Sequence, residues 1–471
     1  MTQRYALVFL FVHVFQYIYD EYMNYIQSTD LFSIHYKKKY IIYAPLKQIA
    51  LIVSPKVVNL LYNINKNNVG IALDKKERAI LKTFCELGLI NGKVDKLPIL
   101  SEETFSPTYV TLFLTGKCNL RCIYCYASGG AKENSTIPFN IAKSAIDLII
   151  KNALSKNQKR IGVGFHGGGE PTIAWQTLVK CVEYAKNRSL ATGLNTNFSI
   201  ATNGVISSKR LDWIMDNFVG LNLSFDGTED IQNYHRPMVN GNGSYNKVIK
   251  TVKRMDNRNF YYGIRSTVTA KSVVNLYKYC EFFGTMCKPK SIHFEPTFAC
   301  GRCFYTGIEA PSPEEFIAEY RKARKVAEKL GIPIFYSGAR LNTITTIFCK
   351  ASGDSFCVTP QGDVTSCYEV CSKDDPRSKV FFYGKYDKSS KEFLFYDSKL
   401  AYLRKRAIDN IPHCENCFCK YHCAGDCLAK TSDGKDLMEI KNTDRCKINQ
   451  TLTLDGIIKI LEGVEIVNLG H

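Results

Sequence analysis

Residues 114–130 read LTGKCNLRCIYCYASGG. Cys118, Cys122 and Cys125 stand in a CxxxCxxC spacing, which lets one short loop bend three thiolates round one face of a 4Fe-4S cube. Three ligands leave the fourth iron without a protein donor. Zinc is the competing reading of clustered thiols, but zinc wants a fourth Cys or His close by, and residues 117–132 supply none.

Nineteen cysteines in 471 residues are the outlier of the composition. They bunch between Cys349 and Cys446, in a chain whose 45% hydrophobic content can bury two or three cores. Disulfide scaffolds belong to short secreted chains, so a reduced compartment with Fe-S ligation is expected, and with it the cytoplasm. The formal charge is +18. One three-cysteine and two four-cysteine clusters would subtract about five charges and leave a basic protein. Such a field suits an acidic peptide or a nucleic acid. The apolar run Ala6 to Val12 behind Arg4 is ended by His13, Gln16, Asp20 and Glu21, far short of the ~20 residues of a membrane span. It reads as an amphipathic docking segment, with no membrane partner expected.

Residues from about 30 to 97 read as a separate module. Ile34 to Tyr43 alternates round Lys37, Lys38 and Lys39 as a hairpin would. Ser54 caps a helix with Pro55 at its first position and Val57, Val58, Leu61 and Ile64 on one face. A second helix starts at Asp74, with Glu77 as capping-box partner, and stops at Gly88. From Tyr109 strand and helix patterns alternate. The expected strands are Tyr109–Thr115, Arg160–His166, Asn197–Thr202, Gly220–Phe225, Tyr262–Val268 and Ser291–Pro296. Six βα units imply an α/β fold with an open (β/α)6 barrel, whose chemistry belongs at the carboxyl ends of its strands. The cysteine loop follows the first of them.

With these flanks the sequence resembles the radical SAM superfamily. The resemblance implies that S-adenosylmethionine chelates the open iron and is cleaved to a 5'-deoxyadenosyl radical. Gly168, Gly169 and Glu170 match the family's GGE motif, where a glycine carbonyl accepts the ammonium of the cofactor. Asn203 at the end of the third strand belongs to the same implied cofactor site. Ser224 and, twelve residues on, Arg236 resemble the pair that holds ribose and carboxylate, and Tyr124 matches an aromatic near the adenine. Taken singly, each also reads as a turn Ser, a surface Arg and a core Tyr.

The tail carries Cys349, Gly362, Cys367, then Cys414-x2-Cys417-x5-Cys423-x3-Cys427, then Cys446. This spacing resembles the SPASM domain with two auxiliary 4Fe-4S clusters. By that resemblance one takes Cys349, Cys367, Cys427 and Cys357, and the other Cys414, Cys417, Cys423 and Cys446, stapling a loop-rich tail that has little core of its own. Two four-cysteine zinc sites are the alternative. Cys85, Cys181, Cys280, Cys287, Cys300, Cys303, Cys371 and Cys419 fall outside these patterns and read as small buried hydrophobes. Cys300 and Cys303, past the sixth strand, are also candidates for substrate or redox contact.

The expected division is 1–97, a winged-helix-like leader-peptide module similar to the pyrroloquinoline-quinone chaperone fold; 98–335, the barrel; and 336–471, the SPASM domain. Members so built mostly modify ribosomal peptides. The expectation is a peptide maturase with three 4Fe-4S clusters, S-adenosylmethionine, a precursor peptide with its leader and an electron donor such as flavodoxin or ferredoxin. A Cys thioether is the preferred product and a carbon-carbon link the runner-up. Anaerobic sulfatase maturases carry an Asp base directly after the cysteine matching Cys367, where this chain has Tyr368 and then Glu369. A nucleic-acid-modifying radical enzyme fits the charge, but the sequence offers no aromatic-and-basic RNA-binding appendage.

Overall fold

The computed structural model describes residues 27–66, 73–95, 97, 104–130, 135–353, 355–431, 436–441 and 443–463. The apolar run Ala6 to Val12 lies outside them. The N-terminal hairpin forms as expected: β1 (Phe32–Tyr36) and β2 (Lys39–Ala44) pair antiparallel with Tyr36 opposite Lys39. The turn is therefore Lys37–Lys38, with Lys37 at φ 55°. A third strand, β3 (Ile49–Val53), pairs with the other side of β2. Its sequence, IALIV, has no alternation because both faces of this sheet are covered. Helix α1 (Pro55–Lys66) buries Val57, Leu60 and Ile64 against one face. Helix α2 (Lys75–Glu86) joins it, opened by the expected reciprocal box: Glu77 N–H donates to Asp74 (2.8 Å) and Asp74 N–H to Glu77 (2.9 Å). The chain leaves α2 through Gly88 at φ 67°.

All six expected barrel strands are present: β4 (Tyr109–Leu112), β5 (Arg160–Phe165), β6 (Asn195–Thr202), β7 (Leu221–Ser224), β8 (Tyr262–Val268) and β9 (Ser291–Pro296). They lie side by side in chain order and all parallel. Helices Phe139–Ser155, Trp175–Ala191, Ser208–Asn217, Tyr245–Asn257, Leu276–Met286 and Pro313–Leu330 connect or follow them. Alternate strand residues such as Val110, Val163, Leu223, Ile264 and Ile292 pack outward on Ile141, Ala145, Leu178, Val248 and Phe283 of these helices. The other alternate residues face inward. Tyr109 lies across Gly162 and Gly164, where any Cβ would meet its ring at 2.1 Å and its hydroxyl at 2.3 Å. Its hydroxyl bonds Ser199 (2.7 Å) and fills the floor of the barrel.

The tail differs from the loop-rich appendage expected. β10 (Ile334–Phe335) extends the barrel beyond β9, and β11 (Cys357–Val358) pairs parallel with β4 on the opposite edge. β12 (Asp363–Thr365), β13 (Phe382–Asp387) and β14 (Glu392–Phe395) continue antiparallel, giving one sheet of eleven strands. Phe105, Phe356, Tyr383, Phe393 and Phe395 form an aromatic core there. A 19-residue helix, Asp444–Glu462, closes the described tail.

That helix covers the second face of the N-terminal sheet. Ile41, Tyr43 and Ile457 are buried together with Ile34, Ile52, Phe418 and Leu454 against them. Asp30 accepts from Tyr421 (2.5 Å) and pairs with Lys420 (2.7 Å), and Tyr43 bonds His422 (2.5 Å). The N-terminal sheet is thus docked on the segment that contains Cys423. Among the described residues no helix is long and apolar enough to cross a membrane.

Candidate active site

The carboxyl ends of β4 to β9 gather the expected residues on one rim of the barrel. The cysteine loop there is held by its carbonyls. Arg121 donates to the carbonyls of Cys118 (3.0 Å), Leu120 (2.9 Å) and Gly130 (3.1 Å). From the segment after β9, Arg302 donates to those of Cys122 (2.8 Å) and Gly129 (3.0 Å), and its backbone N–H to Cys125 O (2.9 Å). Gly301 makes this approach possible: at φ 51°, a Cβ would lie 2.4 Å from the carbonyl oxygens of Cys125 and Tyr126.

With the carbonyls turned away, donors reach all three sulfurs. Leu120 N–H points at Cys118 Sγ (3.4 Å), Gly129 N–H at Cys125 Sγ (3.4 Å) and Arg236 at Cys122 Sγ (3.9 Å). Asn203 Nδ2 lies 3.8 Å from Cys118 Sγ. Burial pushes the Cys118 thiol up to about 11 and the Cys122 thiol up to about 12, each further raised by the neighbouring loop cysteines. Three thiols surrounded by donors fit a metal cluster, which would displace their protons and draw on those donors. Among the described residues no three His, Cys, Asp or Glu side chains close on a single metal ion. The ligands of a four-iron cube stand further apart.

The GGE turn packs beneath this loop. Gly169 N–H donates to Thr115 O (2.7 Å), Glu170 N–H to Lys117 O (2.9 Å), and a Cβ on Gly169 would sit 2.0 Å from Lys117 O. Gly168, at φ 67°, needs its glycine conformation. Glu170 is buried and spans two strand ends, accepting from Thr172, from Thr202 Oγ1 (2.8 Å) and from Asn203 N–H (2.8 Å). Burial raises its carboxyl, and these donors oppose the rise.

Asp226, which sequence reasoning passed over, is the hub of the opposite side. Its Oδ2 accepts from Tyr124, His235 (3.0 Å) and Arg236 Nε (3.1 Å), and its Oδ1 from Thr267 N–H (3.0 Å). Burial alone would push this carboxyl up, but Arg236, His235 and Tyr124 together hold it well below the usual range. Tyr124 and Arg236 are therefore bound to each other through Asp226, with the guanidinium 5.2 Å from the Tyr124 ring centroid. Neither is the exposed side chain that a cofactor contact by itself would leave. The one available signal was the SFDG that follows β7, read only for its Ser224. Ser224 lies in register with Arg265 of β8.

The tail cysteines gather in two groups. Burial, then Glu369, Cys427 and Cys349, push the Cys367 thiol well above its usual range. Cys357, raised to about 12 by burial, also feels Cys349. Burial, then Cys423, Cys417 and Cys446, push Cys414 up to about 12. Cys419 belongs to this second group, its sulfur 3.5 Å from that of Cys417, although spacing left it out. Cys371 was also left out, yet burial, and then the neighbouring Cys125, raise its thiol to about 12. Cys181, Cys280 and Cys287 are plain buried thiols. Cys300 and Cys303 lie buried behind the cysteine loop, and hydrogen bonding by Cys300 lowers the Cys303 thiol to about 6.

Glu369 sits beside the first group, its charge raising Cys367 and Cys427, 3.7 Å from Lys430, with its Oε2 buried and without a hydrogen bond among the described residues. The Tyr368 ring lies 5.1 Å from that of His166.

The sequence pattern of the radical SAM superfamily matches residues 112–270. Uncharacterized protein MJ0907 of Methanocaldococcus jannaschii is 30% identical over 264 residues, 55% of this chain and 84% of that protein. A cysteine-type anaerobic sulfatase-maturating enzyme of Clostridium novyi is 27% identical over 178 residues, 36% of this chain and 46% of that enzyme. Among solved structures, anSMEcpe with bound AdoMet and Cp18Cys peptide has a TM-score of 0.59 at 16% identity, covering 76% of this chain and 100% of its own. Streptococcus suis SuiB bound to precursor peptide SuiA has a TM-score of 0.51 at 14% identity, covering 89% of this chain and 99% of its own. The structural likenesses establish the fold. The sequence pattern runs through the cysteine loop, the GGE turn, Asn203, Ser224 and Arg236, and the chain covers 84% of a relative 30% identical to it: this chain belongs to the radical SAM superfamily.

Proposed function

We propose that this enzyme is a peptide maturase that installs a cross-link, by preference a Cys thioether, on a ribosomally made precursor. The observation that carries the reading is a cavity of about 170 Å³ beside β1, lined by Leu31, Phe32, Ser33, Val58, Leu61 and Tyr62 among others. β1 is an edge strand, paired only with β2 among the described residues. An extended leader can add to such an edge through its main chain while its apolar side chains enter the cavity. This supports the winged-helix-like reading of residues 1–97 as a leader module, ahead of a barrel over 98–335 and a SPASM domain over 336–471. The peptides named with anSMEcpe and SuiB are consistent with a peptide substrate.

Cys118, Cys122 and Cys125 would hold the cofactor's cluster; Cys349, Cys357, Cys367 and Cys427, and Cys414, Cys417, Cys423 and Cys446, would hold two more. When bound, these groups supply a 5'-deoxyadenosyl radical for hydrogen abstraction and an acceptor for one electron. The chain's own residues orient and exclude. Gly168 and Gly169 would let backbone approach the cofactor, and Asn203, Ser224, Arg236 and Tyr124 would hold it, the last two braced by Asp226. Thioether formation removes one C–H and one S–H hydrogen and makes one C–S bond. One hydrogen leaves as an atom; the other leaves as a proton and an electron. Tyr368 in place of an acidic residue, edge-to-face with His166, supports a reaction other than sulfatase maturation.

The test is co-expression with the short Cys-rich reading frame expected beside its gene, followed by iodoacetamide alkylation and tandem mass spectrometry. A thioether predicts one fewer alkylated Cys for each loss of about 2 Da. Full alkylation with the mass loss retained would replace it with the carbon-carbon link. The module is tested by Tyr62→Asp, at a 58% exposed position of the cavity wall. Leader affinity should fall at least about tenfold, or 1.4 kcal/mol, with the melting temperature unchanged. A point substitution is preferred to deletion of residues 1–97, which would bare the buried face of Ile41 and Tyr43 and the helix packed on it.

A further inference from the structure

Cys300 and Cys303 are buried thiols to which the proposed reaction gives no task. Both are 5% exposed, yet neither belongs to the apolar core that takes up Cys181, Cys280 and Cys287. They stand in a CxxC, Cys300-Gly301-Arg302-Cys303, just past the end of β9. Cys303 N–H donates to Cys300 O (3.0 Å), which closes the four residues into one tight turn. Such a turn keeps its outer Cα atoms within about 7 Å, the limit at which a disulfide bridges two residues. The two thiols face each other: hydrogen bonding between them, then burial, pushes Cys300 up, while hydrogen bonding lowers Cys303 to about 6. Thr297 Oγ1 lies 3.8 Å from Cys303 Sγ.

The two residues inside the turn are the ones that grip the cysteine loop. Gly301 lies against the carbonyls of Cys125 and Tyr126, and Arg302 donates to those of Cys122, Cys125 and Gly129. Beyond the turn, Phe304 and Tyr305 are 69% and 84% exposed, and Thr306 Oγ1 donates to Ile123 O (2.7 Å). Only the short helix Cys303–Thr306 therefore separates the thiol pair from solvent on this side.

We propose that Cys300 and Cys303 form a thiol–disulfide exchange site that takes a low-molecular-weight disulfide as oxidant, and that closing the bond tightens the grip of Gly301 and Arg302 on the cysteine loop. Cys303, beside the exposed pair, attacks one sulfur of the small disulfide; its proton goes to solvent and the second sulfur leaves as a thiolate. Cys300 then attacks the Cys303 sulfur of the mixed disulfide, gives up its own proton and releases the other half of the reagent. Two protein S–H bonds are exchanged for one S–S bond, and the reagent's S–S bond for two thiols. The protein loses two electrons and the reagent gains them. The ring so closed contains Gly301 and Arg302 and removes their freedom to leave the loop. The inference needs only the turn and the loop, and it stands apart from the identity of the substrate.

The test equilibrates cluster-loaded, full-length protein anaerobically in glutathione buffers running from fully reduced to fully oxidised. Samples are quenched with N-ethylmaleimide in guanidinium, digested with trypsin without reduction and read by tandem mass spectrometry. Trypsin cuts after Arg302, between the two cysteines, so the bond shows as one linked pair of peptides, residues 291–302 with residues 303–321. The pair should be absent in reduced glutathione, dominant in oxidised glutathione and lost in Cys303→Ser, with bound iron equal across the wild-type samples. Amide hydrogen exchange of residues 117–130 should slow at least about threefold in the linked form. Arg302→Ala should still form the linked pair but lose the slowing. Full alkylation of both cysteines in every buffer, glutathione held on Cys303 without a linked pair, or a linked pair seen only as iron is lost would overturn the exchange site. A linked pair that leaves the loop's exchange unchanged would overturn its coupling to the loop.

Discussion

Asp226→Ala is expected to be the most damaging single substitution at this site. The carboxylate is 1% exposed and is the shared acceptor for Tyr124, His235 and Arg236. Its removal leaves the Arg236 guanidinium, 7% exposed, without its counter-ion. Breaking a buried pair from one side costs about 3–5 kcal/mol, because the remaining charge stays desolvated. Tyr124 lies inside the cysteine loop and Arg236 points at Cys122 Sγ, so the loss also reaches the metal site. Urea denaturation should show a stability deficit of this size, and anaerobic reconstitution should recover less iron. The Asp226 carboxyl is held below its ordinary value, so its contribution is complete above that value and lost only as pH falls through the lowered one. The deficit should therefore be flat from about pH 6 to about pH 9. A deficit under about 1 kcal/mol would mean that Asp226 is not the brace described.

Replacing Cys118, Cys122 and Cys125 together by Ala should abolish formation of 5'-deoxyadenosine and lower bound iron by about four per chain, one cluster's content. The three sulfurs are the ones that the donors of Leu120, Gly129 and Arg236 approach, and the carbonyls around them are already bound by Arg121 and Arg302. The loop should keep its shape without metal, so circular dichroism and melting of the triple variant should stay near wild type. Retained cofactor cleavage would refute the assignment of the loop. An iron deficit much larger than four would mean that the tail cysteines depend on the loop, beside which Cys371 lies.

What the sequence determined by itself lies in short-range patterns. Period-two apolar runs placed β4 to β9 to within a few residues. The capping box at Asp74 and Glu77 is complete within four residues, and the spacing of Cys118, Cys122 and Cys125 fits one loop. These signals survive because each is settled by neighbours in the chain. The tertiary structure decided the rest. β11 and β12 are two and three residues long, too short for any period, and only pairing with β4 and β13 makes them strands. β3 lost its alternation because helices cover one face and the tail helix the other. Asp226 resembles any acidic residue of a turn until folding surrounds it with Tyr124, His235, Arg236 and Thr267, two of them more than 40 positions away. A buried charge is defined by what desolvates and pairs it, and those partners come from distant parts of the chain.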